Sequence, residues 1–309
     1  MKIVEYKFNN TMYDYFPEFD EGYSYTYTDS TSDSITTRVI ESNSLPTEML
    51  FGSESGANVW TNALLEVTYL DTSSLITAYT LFACCQYLTK VSGIVGGFSN
   101  ANNMFGMFFM CSSLVSVETI GWEVGNVTTM ESMFQNCESL QNLDLSNWNT
   151  ASLSDVGIMF YNCTALVSLN LSGWNTINIP SLSSMFNTCT NLTTLDLSEW
   201  DISNVENIDH VFNGCNSLIN VKMINTNYSS VNAIIIGLPT KKESDNATFD
   251  ISGIDDISQV ALPTANDKYW NIIRTIRNIK INENLINSIY VGNNSIKAVY
   301  IGNDILFYN

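Results

Sequence analysis

The residues equipped for chemistry in this chain stand in columns rather than in clusters. Cys85, Cys111, Cys137, Cys163, Cys189 and Cys215 recur every 26 residues, and Cys84 is a seventh. An odd total with six at one fixed step is not a disulfide framework, and without close Cys/His pairs it is not a zinc site. These read as free, buried thiols acting as small apolar residues. His210 is the sole histidine, so a Ser/His/Asp triad would have to use it, and no Gly-x-Ser-x-Gly elbow accompanies it. Paired carboxylates are the remaining enzymatic option, since glycoside hydrolysis needs only two. Asp255-Asp256 and the group Glu18, Asp20 and Glu21 are present, and both read as loop acids. No phosphate-binding loop or dinucleotide fingerprint appears. The expectation is a chain that is not an enzyme and holds neither metal nor cofactor.

Two other columns bear on binding. Trp122, Trp148, Trp174 and Trp200 keep the same step. Exposed indoles in a row would make an aromatic platform for sugar rings. Their strict register with core leucines favours instead a stack inside the corner of each repeat. Glu118, Asp144, Asn170 and Asp196, flanked by Ser116, Asn142, Ser168 and Thr194, form the second column. Each of the first four is the middle residue of a short strand and so points away from the core. Rows of carboxylates and amides suit a glycan, a protein or Ca²⁺. A solvated polar face is the plainer alternative.

These columns are positioned by a repeat that runs from Leu81 to Met223. Phe82, Phe108, Phe134, Phe160, Phe186 and Phe212 mark its register, and Leu88, Leu114, Leu140, Leu166, Leu192 and Leu218 follow it. A fixed period of this size means stacked structural units that bury a face only together. Met130, Met133, Phe134 and Cys137 lie at i, i+3, i+4 and i+7, the pattern of one face of a short helix. Val156, Met159, Phe160 and Cys163 repeat it, as do Leu182, Met185, Phe186 and Cys189. Leu143-Asp144-Leu145, Leu169-Asn170-Leu171 and Leu195-Asp196-Leu197 alternate as strands. The predicted fold is an α/β repeat: a leucine-rich-repeat-like solenoid of 26-residue strand–helix coils, with small β modules at both termini.

Residues 1–58 read as an N-terminal β module. Tyr23–Thr28 and Ser34–Ile40 carry strand patterns, and Asp29–Asp33 between them reads as a turn. The solenoid spans 59–224 and opens on a degenerate strand with Leu64, Leu65, Val67 and Leu70. Gly93-Ile94-Val95-Gly96-Gly97 reads as a wide turn. Capping coils fill 225–280: a helix over Ser230–Leu238, a strand over Ala247–Gly253 and a short helix within Lys268–Arg277. Residues 281–309 form a β tail in which Ile289-Tyr290-Val291-Gly292-Asn293 returns as Val299-Tyr300-Ile301-Gly302-Asn303.

Charge excludes several partner classes. The chain has 31 Asp plus Glu against 12 Lys plus Arg, a net charge of −19. It would repel phosphate backbones and anionic lipid surfaces, which argues against nucleic acid and membrane partners. No apolar run is long enough to insert in a membrane, and Met1–Lys7 lacks the apolar core of a secretory signal. The expectation is a protein made in the cytoplasm that can reach the outside only by another route, such as assembly into a particle released by lysis.

The unit Met133-Phe134, Cys137, Leu140, Leu143-Asp144-Leu145-Ser146 and Trp148-Asn149-Thr150 resembles the repeats of BspA-type leucine-rich-repeat surface proteins. The resemblance covers residues 62–224. It implies a solenoid with adhesive, partner-binding roles and no catalysis. The Tyr-Val-Gly-Asn tail resembles, over less of the chain, short β modules of phage tail and virion proteins. Together these imply an adhesin-like protein of a phage virion or tail fibre, engaged in receptor binding and host attachment. Its partners would be a host cell-surface glycan or protein, other virion proteins through its termini, and further copies of itself in a homo-oligomer. The alternatives are a bacterial cell-surface adhesin and a purely structural virion decoration.

Overall fold

The computed structural model describes residues 1–9, 17–19, 23–32, 34–44, 46, 49–51, 63–223 and 228–251, and strands within 271–308. The chain winds into a β-solenoid of about 7 turns. Among the described residues it has one α-helix, Tyr228–Gly237, and one three-residue 3₁₀ turn. The expected strand–helix coil is therefore incorrect: no coil of the array carries a helix.

The reason lies in where the backbone N–H groups go. In a helix each would return to a carbonyl four residues earlier in the same chain. In the coil containing Phe134, the N–H groups of Met130, Ser132, Phe134 and Asn136 instead donate to Asp155, Gly157, Met159 and Tyr161 O of the next coil, at 2.8–3.0 Å. The intervening Met133, Gln135 and Cys137 donate three residues back, to Met130, Ser132 and Phe134 O. Such alternation needs left-handed residues, and Ser132 (φ 58°) and Asn136 (φ 61°) supply them. The same two slots are left-handed at Thr80 and Cys84, Gly106 and Met110, Ile158 and Asn162, Ser184 and Thr188, and His210 and Gly214. Asn and Gly take this conformation readily, and they hold several of these slots. The i, i+3, i+4, i+7 pattern did locate the buried face, since Met130, Met133, Phe134 and Cys137 are all 0% exposed. A chain of tight turns satisfies that spacing as well as a helix does.

Opposite the turns, short parallel strands stack in register. Asn142–Asp144 pairs with Ser168–Asn170, and Thr194–Asp196 with Asn220–Lys222, then Thr248–Asp250, then Asn271–Ile273. The repeat strands begin one residue earlier than the sequence pattern placed them. The helix predicted within Lys268–Arg277 is also incorrect where it is described, because Asn271–Ile273 continues this sheet. The predicted helix over Ser230–Leu238 is present. Its Val231, Ile234, Ile235 and Leu238 face inward at helical spacing.

At the other end, Lys2–Asn9, Thr26–Ser32, Ile35–Glu41 and Leu64–Asp71 form an antiparallel set. Leu64–Asp71 then pairs parallel with Lys90–Val91, which pairs with Ser116–Val117. The N-terminal strands are thus continuous with the solenoid sheet. Phe51 packs on Phe82 at 5.2 Å and begins the phenylalanine stack. The turn expected over Asp29–Asp33 is mostly strand, since Asp29–Ser32 pairs with Ile35–Arg38. Gly93–Gly97 is not simply a turn, because Ile94–Val95 pairs with Leu70–Asp71. Gly93 itself is obligatory there: its φ is 63° and a Cβ would sit 2.3 Å from Thr68 O. In the tail, Ser288–Gly292, Ser295–Ile301 and Asp304–Tyr308 form an antiparallel three-stranded sheet, as the repeated Gly-Asn hairpins predict.

Candidate binding face

The three coils that begin at Asp144, Asn170 and Asp196 each turn three corners, and each corner is closed by a short polar side chain accepting the N–H two residues on. Asp144 Oδ1 takes the Ser146 N–H at 3.0 Å and the Ser146 hydroxyl at 2.7 Å. Asn149 Oδ1 takes the Ala151 N–H at 3.2 Å, and Asp155 Oδ1 the Gly157 N–H at 3.1 Å. Neighbouring coils repeat the first corner with Asn170 and Asp196, and the second with Asn175 and Asp201. The third recurs at Asn103, Thr129, Ser181 and Asn207.

The predicted strand column lies where the alternation placed it. Ser116, Asn142, Ser168 and Thr194 are exposed, as are Glu118, Asp144, Asn170 and Asp196. Parallel pairing aligns Asn142 with Ser168 and Asp144 with Asn170. Asp144, Asn170 and Asp196 have a structural task, however, because they hold the first corner. Hydrogen bonds from the Ser146 hydroxyl and N–H hold the Asp144 carboxyl below its usual range. Burial pushes Asp196 up, but bonds from Ser198 and the Lys222 ammonium at 3.6 Å outweigh it, and its carboxyl is lowered too. Glu118 faces Lys90 at 3.9 Å. A groove of about 330 Å³ crosses this face, lined by Asn170, Ser172, Thr194, Asp196 and Glu199. Glu199 Oε2 accepts the Gly173 N–H beside it, at 2.7 Å.

The tryptophan column is not an exposed platform. Trp122, Trp148, Trp174 and Trp200 are 1–3% exposed and stack face to face at 5.7–6.3 Å. Trp174 Nε1 donates to Leu145 O at 3.0 Å and Trp200 Nε1 to Leu171 O at 3.2 Å. Trp122 and Trp148 Nε1 are buried without an acceptor. In those two coils the slot of Leu145 and Leu171 is held by Thr119 and Gly93.

All seven cysteines are free and buried. Each array thiol from Cys111 onward donates to a phenylalanine carbonyl of the preceding coil, as Cys137 does to Phe108 O at 3.2 Å. Burial pushes the Cys163 and Cys215 thiols up to about 12, and those of Cys137 and Cys189 upward as well. These thiols are poor nucleophiles. His210 is exposed at a left-handed slot of the turn side, where a small residue usually stands. Glu18 lies in a short strand; Asp20, Glu21 and Asp255-Asp256 lie outside the described residues. Among the described residues no group of three or more His, Cys, Asp or Glu is placed to hold a metal ion. No helix among them is long and apolar enough to cross a membrane.

The sequence reading missed a polar ladder on the second side of the coil. Asn100, Asn126, Ser152, Asn178 and Asn204 each donate a side chain to the carbonyl 27 residues earlier, on the previous coil. The 26-residue step of these polar slots was the available signal.

Residues 96–170 and 167–235 match the model of a family described as "Mycoplasma protein of unknown function, DUF285". That match and the solenoid are compatible with BspA-type repeats. No curated protein and no solved structure matches the chain.

Proposed function

We propose that this protein is a non-enzymatic, adhesin-like scaffold of a virion, presenting its strand face to a glycan or protein of the host surface. The observation that carries the proposal is the exposed polar column that recurs every 26 residues, with Asn142 and Asp144 in register with Ser168 and Asn170, on a core in which the Phe, Cys and Trp columns are all buried. A rigid array of this kind is a frequent binding surface in solenoids. The BspA-type character of the repeats supports an adhesive role, and the three-stranded tail supports attachment to a particle.

Asn142, Ser168 and Thr194 are better probes of the face than Asp144 and Asp196, because none of them closes a corner. Purified chain is applied to candidate host cells and to a glycan array, beside the triple variant Asn142→Ala, Ser168→Ala, Thr194→Ala. The expected result is binding by the natural chain and its loss in the variant at an unchanged melting temperature. Binding to no surface, or equal binding by the variant, sinks the proposal. Mass spectrometry of purified particles tests the location: absence from every particle removes the virion part.

A further inference from the structure

We infer that the strand Thr26–Ser32 is a self-association edge, at which two copies of the chain pair antiparallel about a two-fold axis. This strand is the outermost member of the seven-stranded sheet and pairs, among the described residues, only with Ile35–Glu41. All seven of its residues are exposed. On the far side of its neighbour, Ser42 donates its N–H to Met1 O. Strand alternation then turns Glu41, Val39, Thr37 and Ile35 towards Thr26–Ser32, and leaves the N–H and C=O groups of Asp29 and Thr31 facing outward. Such a row is a template for another strand.

Among the described residues the edge is also unguarded. Exposed edges usually carry Lys, Pro or a bulge. Thr26-Tyr27-Thr28-Asp29-Ser30-Thr31-Ser32 has neither Lys nor Pro, and its ladder with Ile35–Glu41 runs without a register shift. By contrast, Lys2–Asn9 breaks register against both of its neighbours.

Charge selects a second copy as the occupant. At a net charge of −19, most surfaces of two copies repel each other. The edge strand carries one carboxylate, Asp29, and the Arg38 guanidinium holds it through Nε at 2.8 Å and Nη2 at 2.7 Å. Arg38 is buried, stacked 4.5 Å from the Tyr27 ring centre. The edge is therefore a neutral strip on an acidic molecule. Two such strips meet without opposing unpaired carboxylates, and a two-fold contact requires no other surface. The dimer joins two solenoids through their N-terminal sheets.

Sedimentation equilibrium of the full chain across the micromolar range tests this, and needs no ligand. Thr31→Pro removes an outward N–H that the existing ladder does not use. Ser30→Lys adds a guarding charge on an exposed side chain. The natural chain is expected to dimerise, and each variant to weaken the dimer by about tenfold or more, with an unchanged circular dichroism spectrum. If Thr31→Pro disturbs folding, Ser30→Lys carries the comparison. A natural chain that stays monomeric overturns the inference, as does a dimer that survives Ser30→Lys. A monomer that captures an extended segment of another protein at this strand overturns the assignment of a second copy.

Discussion

Replacing each stacked tryptophan by phenylalanine separates the indole N–H from the rest of the ring. The four sites are matched in burial, at 1–3% exposed, and in stacking distance. The part of the cost that comes from lost ring volume is therefore similar at all four, about 1–2 kcal/mol each. The N–H part differs in sign. Trp174→Phe and Trp200→Phe delete real hydrogen bonds, to Leu145 O and Leu171 O. Each loss costs roughly 1 kcal/mol. Trp122→Phe and Trp148→Phe delete a donor that is buried without a partner, which relieves about 1–3 kcal/mol. The two pairs should then differ by about 2–4 kcal/mol, with Trp148→Phe close to neutral and Trp174→Phe clearly destabilising. Denaturant midpoints of the four variants, measured with unchanged slopes, give the comparison. Equal losses at all four sites would refute the reasoning, because they would mean that Trp122 and Trp148 also surrender a hydrogen bond.

Ile158 is a β-branched residue held at φ 48°. Ile158→Asn should raise the stability by about 1 kcal/mol, measured as a shift in denaturant midpoint, and an unchanged midpoint would show that the slot is not strained. Asp144, Asp196 and Asp201 have carboxyl groups lowered by serine hydrogen bonds, so their contribution is present above the ordinary value of 3.8 and fades as pH falls through the lowered values. The melting temperature should therefore drop below that pH, and the triple Asp→Asn variant, which copies the amide of Asn170, should drop less; parallel curves would dismiss this source. Burial raises the Glu131 carboxyl, with the Asp155 charge adding to it, so ionisation of Glu131 weakens the fold. Glu131→Gln should melt higher than the natural chain at neutral pH, by less than about 1 kcal/mol after solvent screening, and the gap should close below the ordinary value of 4.5. A thiol reagent should label no cysteine of the native chain and all seven after unfolding; rapid native labelling would contradict their burial.

Much of the architecture is legible in the sequence because a 26-residue period can be satisfied only by equivalent positions stacking. The burial of Phe134, Cys137, Leu140 and Trp148 and the exposure of Asn142 and Asp144 follow from that period and the strand alternation within it. The turn side was not legible, because Met130, Met133, Phe134 and Cys137 fit a helix and a succession of tight turns equally. What decides between them is the acceptor of each N–H, and those acceptors lie in the next coil. Asn136, Asn162 and Gly214 in one left-handed slot were the local hint. The corner-holding role of Asp144 was likewise hidden: an outward carboxylate looks alike whether it awaits a ligand or caps Ser146.

The alternation of N–H targets along the turns also sets how the molecule responds to force. Every other bond there joins one coil to the next, so tension applied between the two ends loads these rungs one coil at a time. The array should yield as a ratchet rather than as a single rupture. Each released coil of 26 residues adds about 90 Å of chain. A solenoid built this way is a graded tether, able to lengthen in equal steps while its remaining coils stay intact.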